Sequence, residues 1–205
     1  MKRLALLGML VAIGMLHTEA VAGGQTVSVQ NNLFAPDEAT LAEPGLAIDW
    51  DWVGGGFPHN VRQDDLLFRS GPTTSSPAAS FQRVFSAGTF HYYCENHGFP
   101  TGGMDGVIRV RPIIGDAPVG LPFTVRWATS TTNTGGVFDV RYRVNDGPWR
   151  TWRTDTTRVA SRFGVNDMPI RVRPGRTYRF RARSQVDAGS PTAVSGWSPI
   201  RSITV

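Results

Sequence analysis

The stretch Phe90–Val110, FHYYCENHGFPTGGMDGVIRV, decides how this chain is read. It holds the only cysteine, Cys94, with His97 three residues on and Met104 beyond a loop of glycine and proline. A second histidine, His59, sits upstream in FPHNV. A thiolate, two imidazoles and a thioether are the donor set of a mononuclear copper electron-transfer centre, in which the imidazoles and thiolate form a plane and the methionine caps it weakly. That set accommodates Cu(I) and Cu(II) alike, so an electron enters and leaves with little rearrangement. His59, Cys94, His97 and Met104 are therefore the candidate metal ligands.

A cysteine binds metal only as its thiolate. His97 is expected on a loop leaving the cysteine's strand, where two donors from one turn can face one ion. His59 comes from a distant strand, so folding must bring it to the cluster. Gly98, Gly102 and Gly103 let the intervening loop bend tightly. Met104 has a second reading, as a core methionine that leaves the axial position empty. His91 and Tyr93 fall on the strand face opposite Cys94, which keeps His91 out of the metal sphere and suggests a surface histidine.

The N-terminus has the pattern of a secretory signal peptide, residues 1–22. Lys2 and Arg3 precede an apolar run, Leu4 to Leu16, and Ala20-Val21-Ala22 supplies small residues for cleavage after Ala22. The run is too short to span a bilayer, and no twin-arginine pair is present. Export of an unfolded chain, with copper acquired outside the cytoplasm, is the expectation. No cysteine follows the cleavage position to carry a lipid, and no later segment approaches spanning length. The mature protein is expected to be soluble, in the periplasm or the extracellular space. A lone exported cysteine cannot form an internal disulfide, which leaves a reactive thiol, an intermolecular bridge or a ligand. The histidine and methionine around Cys94 favour the ligand.

Hydrophobic residues make up 40% of the chain, enough for ordinary globular cores. Both halves have an all-β rhythm of short apolar or alternating runs between Gly, Pro, Asn and Asp clusters. In the first half strands are predicted over Gln25–Gln30, Leu46–Trp52, His59–Arg62, Phe81–Phe85, Thr89–Cys94 and Gly106–Arg111, with a loop over Ser70–Ser80. Pro112–Pro122, PIIGDAPVGLP, is a short linker that keeps two domains close, 23–112 and 113–205. The second half predicts strands over Phe123–Ala128, Phe138–Val144, Trp152–Thr154, Ser161–Val165, Thr177–Ser184 and Ile200–Val205, the rhythm of a β-sandwich. Charge divides sharply. The net charge is +5, but residues 23–112 carry −4 and residues 113–205 carry +8.

The order NLFAPDEATLAEPGLAIDWDW, PHNV, GTFHYYCENH, GMDGVIRV in residues 24–111 resembles a plastocyanin-type cupredoxin. That resemblance implies a Greek-key β-sandwich holding one type 1 (blue) copper. The ligands would be His59, Cys94, His97 and Met104. Six residues separate His97 from Met104, two more than is usual in that family, which bears on the axial bond, colour and potential. The resemblance also implies that Asn60 ties the two ligand loops together by hydrogen bonds, where otherwise it would be a turn asparagine. It implies an exposed Tyr93 near a partner-docking surface; the other reading is a surface or core tyrosine. The edge of His97 is the expected electron port, rimmed by Gly98, Phe99, Pro100 and residues 54–58 as an uncharged patch suited to brief docking with a redox protein.

Residues 115–205 resemble a fibronectin type III domain. The resemblance is carried by FTVRW (Trp127 in the core), FDVRYRVNDGPWRTW, PGRTYRFRARS (Tyr178 at a tyrosine corner) and SGWSP. Arg179, Arg181 and Arg183 share one strand face, and Arg141 and Arg143 share another. They could stack on Trp149, Trp152 or Trp197. They could instead form an anion-binding face for acidic polysaccharide, lipid headgroups or an acidic protein, or dock the acidic first domain. No nucleic-acid motif is present.

The expectation is an electron carrier and not an enzyme, because copper oxidases and nitrite reductases need further histidine-rich sites and the mature chain has only His59, His91 and His97. The alternatives are a copper storage or delivery protein using the same ligands, and an extracellular adhesion module with a structural copper.

Overall fold

The structure is a computed structural model that describes residues 24–54, 56–165, 170–189 and 192–205. The signal-peptide reading lies outside the described residues. The protein is all-β, with two β-sandwich domains built from open sheets.

The first sandwich contains β1 (Gln25–Gln30), β2 (Leu33–Ala35), β3 (Glu38–Leu41), β4 (Ala47–Trp52), β5 (Arg62–Gln63), β6 (Ser80–Val84), β7 (Gly88–Phe99) and β8 (Gly102–Val110). One sheet runs β2-β1-β4-β6 and the other β3-β8-β7-β5. Pairs β1–β4 and β3–β8 are parallel, because the chain crosses between the sheets before it returns. Period-2 alternation sorts the faces. On β4, Ile48, Trp50 and Trp52 are buried while Ala47, Asp49 and Asp51 are not. Trp50 centres the core, with its ring 5.4–6.2 Å from those of Phe68, Phe81, Phe85 and Tyr92. Cys94 and Met104 belong to the same buried cluster.

The second sandwich contains β9 (Ile113–Ile114), β10 (Phe123–Arg126), β11 (Val137–Val144), β12 (Arg150–Thr156), β13 (Ala160–Phe163), β14 (Thr177–Gln185) and β15 (Arg201–Thr204). Its sheets run β13-β10-β9 and β12-β11-β14-β15. Phe163 packs against Phe123, Tyr142, Trp152, Tyr178 and Phe180. Trp127 is fully buried, and the Tyr178 hydroxyl accepts a hydrogen bond from the Arg173 backbone N–H at 2.9 Å. Both agree with the sequence expectation. No helix among the described residues is long and apolar enough to cross a membrane.

The domains meet through hydrogen bonds at the turn between β6 and β7. Val84 N–H donates to the Asn133 side chain (2.8 Å), Ser86 N–H to Thr134 Oγ1 (3.2 Å) and Ala87 N–H to Trp127 O (2.7 Å). Thr89 and Gly196 exchange backbone hydrogen bonds of 3.0 and 2.8 Å. Ser86 and Ser184 join by their hydroxyls at 2.8 Å, and Ala87 packs in the second domain's core.

Candidate metal centre

On a regular strand, side chains three residues apart face opposite sides, so Cys94 and His97 could not share a ligand sphere. A large bulge removes the difficulty. Strands β7 and β8 pair Tyr93 with Asp105 and then Gly98 with Gly103, so Cys94–His97 are opposed by Met104 alone. Bulges commonly re-aim side chains beside functional sites. His97 thus lies within β7, and not on a loop leaving it as the sequence suggested. The strand runs on to Phe99 because it turns back into β8 as a hairpin. Glycines permit that turn. A Cβ on Gly98 would lie 2.5 Å from Met104 O, and one on Gly103, where φ is +73°, 2.6 Å from His97 O.

His59 enters from the segment before β5. It is held by a two-way backbone bridge to Thr74, at 2.9 and 2.8 Å, so of the strand predicted over His59–Arg62 only Arg62 lies in one, β5. The donors converge. His59 Nδ1 lies 3.7 Å and His97 Nδ1 3.6 Å from Cys94 Sγ. All three ligand atoms lie within 4.8 Å of one another, with His59 and Cys94 buried. A trigonal metal bound at about 2.0 Å to nitrogen and about 2.3 Å to sulfur separates those donors by about 3.7 Å. The donors therefore sit where a single ion would need them. Burial, and then the neighbouring His97, hold the His59 imidazole below its ordinary pKa, which favours the neutral ring a metal requires. The cluster can coordinate a metal ion. Met104 is 1% exposed and opposes the bulge.

Asn60, fully buried, joins the His59 segment to the Cys94–His97 bulge by hydrogen bonds. Its Oδ1 accepts from Glu95 N–H at 2.9 Å, and its Nδ2 donates to Gly71 O (3.0 Å) and Glu95 Oε2 (2.5 Å). Glu95 also receives Arg62 Nη1 at 3.2 Å and Arg69 Nη2 at 2.6 Å. Burial opposes ionisation of Glu95, but hydrogen bonds from Arg69 and Asn60, with the charges of Arg69 and Arg62, outweigh it and hold its carboxyl below the usual range. Sequence reasoning missed Glu95, Arg62 and Arg69. Only the alternation that sets Arg62 on the same side as Asn60 hinted at them.

Tyr93 is a correction to the implied exposed aromatic. It is 8% exposed, with the Arg62 guanidinium 5.5 Å from its ring centre. The exposed aromatics near the cluster are Phe99, at 64%, and Phe57, at 62%, whose ring lies 6.0 Å from that of His97. Pro100 is exposed beside Phe99. His91 lines a surface cleft with Asp37, Glu38, Asp105 and Arg109, away from the donors.

In the second domain the predicted arginine face forms. Arg141 pairs across the sheet with Arg181, and Arg143 with Arg179. Trp197 lies under Arg141, Arg181 and Arg183 at 4.7–4.9 Å, and Trp149 under Arg143 and Arg181 at 4.9 and 4.3 Å. Trp152, a candidate for the same stack, is instead in the core. Asp146 pairs with Arg179 and Asp139 with Arg183. Among the described residues, no carboxylate pairs with Arg141, Arg143 or Arg181.

No protein-family model matches the chain, and no curated protein matches it at a significant score. Among solved structures, an oxidized mutant of amicyanin is similar at 20% identity and a TM-score of 0.35, covering 46% of this chain and 86% of its own. A reduced Cu(I) form of an amicyanin mutant at pH 4 gives 20% and 0.35, over 45% and 86%. The chicken CNTN1 FN1–FN3 domains give 12% and 0.33, over 88% of this chain and 63% of that one. Likenesses this distant assign neither family nor function to the chain.

Proposed function

We propose that His59, Cys94 and His97 hold one copper ion with Met104 as a weak axial donor, and that the chain is an exported electron carrier. The observation that carries this is the thiol set 3.6 and 3.7 Å from two imidazole nitrogens in a largely buried pocket. Copper held so supplies a one-electron couple whose two states accept the same donors. The residues do the rest. The buried cluster limits water access, the hairpin fixes Cys94 and His97 together, and the half-exposed His97 provides the path to the surface. Phe57, Phe99 and Pro100 give that path an uncharged rim for transient docking of a redox protein.

The optical and EPR spectra of the protein from residue 23 onward, with one equivalent of Cu(II), test this. An intense thiolate-to-copper band is expected, bleached by ascorbate, restored by oxidant and absent in Cys94→Ser. A colourless sample with weak binding would overturn the ligand set. Rapid loss of Cu(I) to an acceptor would replace the carrier with a delivery protein.

The second domain has its own role in this proposal. Its +8 charge and the three guanidiniums without carboxylates support an anion-binding face on β11 and β14 that takes acidic polysaccharide and so localises the carrier.

A further inference from the structure

The Asn60 amide accounts for one link between the ligand segments, but the charges around it form a larger device. Two stretches of chain converge on the Glu95 carboxylate, which a third supplies. Asn60 and Arg62 come from the His59 segment. Arg69 comes from the turn that follows β5, whose Gly71 carbonyl accepts from Asn60. Glu95 itself stands beside Cys94 in the bulge. Its Oε2 accepts from Asn60 Nδ2 and from Arg69 Nε and Nη2 (3.0 and 2.6 Å), and its Oε1 accepts from Arg62 Nη1 (3.2 Å).

We propose that Glu95 is a positioning residue that clamps the His59 segment against the Cys94–His97 bulge, so the donor triangle is assembled by the protein before metal arrives. The proposal rests on the metal-site reading and goes beyond it in naming what builds the site. His59 is otherwise fastened by the Thr74 bridge and by Trp52 Nε1, which donates to its carbonyl at 3.3 Å. Neither of those contacts reaches the bulge. Asn96 of the bulge does reach back, its Nδ2 donating to Pro58 O and Thr73 Oγ1 at 3.3 Å each, but these are exposed neutral hydrogen bonds, and Glu95 is the charged link between the two segments.

The clamp also needs a charge, not only an acceptor. Two guanidiniums meet at one carboxylate, and hydrogen bonds between ionised partners are about twice as strong as neutral ones. Without Glu95, Arg62 and Arg69 would stand uncompensated beside a site meant for a cation. The carboxylate leaves this group at a net single positive charge. Its loss adds one unit of positive charge near the metal, which disfavours Cu(II) relative to Cu(I).

The test compares the full chain with Glu95→Gln, Glu95→Ala and Arg69→Gln. Copper(II) affinity is measured by competition, with the EPR spectrum and reduction potential of each loaded protein. Amide hydrogen exchange of residues 59–62 is followed in the metal-free proteins. Glu95→Ala is expected to weaken Cu(II) binding by about 10–100-fold, the usual effect of removing a partner of the ligands, and to speed exchange at 59–62. Glu95→Gln, which keeps the shape, is expected to raise the potential by about 59 mV, a tenfold change in the one-electron equilibrium. Arg69→Gln, on a half-exposed side chain, covers the case in which the Glu95 variants do not fold. It should shift affinity and exchange in the same direction as Glu95→Ala, by less. Wild-type affinity, spectrum and potential in all three variants would overturn the proposal. If the wild-type protein itself fails to bind copper, the metal reading falls separately. Unchanged exchange in the metal-free variants would then still overturn the clamp.

Discussion

Phe99 stands 64% exposed two positions beyond His97, and Phe57 stacks edge-on to the His97 ring. Neither ring is needed to fill the core, whose members are buried elsewhere. Their exposure makes sense if two molecules must bring their His97 edges together for an instant and then part, because an uncharged rim desolvates cheaply and holds weakly. This can be tested without knowing the physiological partner. In a mixture of Cu(I) and Cu(II) protein, electron self-exchange brings two identical rims face to face. Phe99→Glu would place like charges opposite each other, and the NMR self-exchange rate should fall by about tenfold or more at low salt, about 1.4 kcal/mol on the barrier. Part of the loss should return as salt is added, while the copper spectrum stays that of the wild type. An unchanged rate would move the port away from this rim.

At the scale of elements, β11 and β14 set Arg141 directly opposite Arg181, an arrangement that normally destabilises a sheet. Burial, and then the charges of Arg141 and Arg143, lower the Arg181 pKa, the electrostatic mark of that crowding. Trp149 and Trp197 offset the repulsion by about 0.5–1 kcal/mol per stacked guanidinium, and they leave the positive charge unneutralised. If that charge serves polysaccharide binding, the triple variant Arg141→Gln, Arg143→Gln and Arg181→Gln should elute from heparin at clearly lower salt than wild type. A control with Gln at Arg158, Arg162 and Arg201 removes the same charge from exposed positions outside β11 and β14, and should shift elution far less. Equal shifts would reduce the face to bulk charge. The strands themselves were largely legible in the sequence: Gln25–Gln30 was predicted residue for residue and Thr177–Ser184 within one, because period-2 alternation and Gly/Pro punctuation are local signals. The short β2 and β3 were not predicted: β2, three residues paired with β1 across the Asn31–Asn32 turn, is too short to show alternation, and β3 pairs only with the distant β8. Cys94 and His97 declared themselves by residue type. The bulge that lets them meet did not, because it is a property of the β7–β8 register. Glu95 with Arg62 and Arg69 was hidden for the same reason, as its partners lie 26 and 33 residues away in sequence.

Across the whole molecule, the second domain is fastened to the strand that matters most for the first. Strand β7 carries Cys94 and His97, and its early residue Thr89 exchanges backbone hydrogen bonds with Gly196 and donates its hydroxyl to Trp197 O at 2.9 Å. The preceding turn adds the Ser86, Ala87 and Val84 bonds to Thr134, Trp127 and Asn133. Six such bonds, at about 0.5–1.5 kcal/mol each net, are comparable with the stability of a whole small domain. The two sandwiches should therefore unfold together. Copper then becomes a reporter of that coupling. A ligand that binds only the native state raises the stability of whatever unfolds with its site. Calorimetry of the metal-free chain should show one transition, and one equivalent of Cu(I) should move all of it upward. Tryptophan emission should follow the same curve, because Trp127 and Trp152 lie in the core of one domain and Trp50 in that of the other. A second peak that ignores copper would mean that the interface is too weak to join them. The second domain would then act only as an attachment, with no part in holding β7 in place.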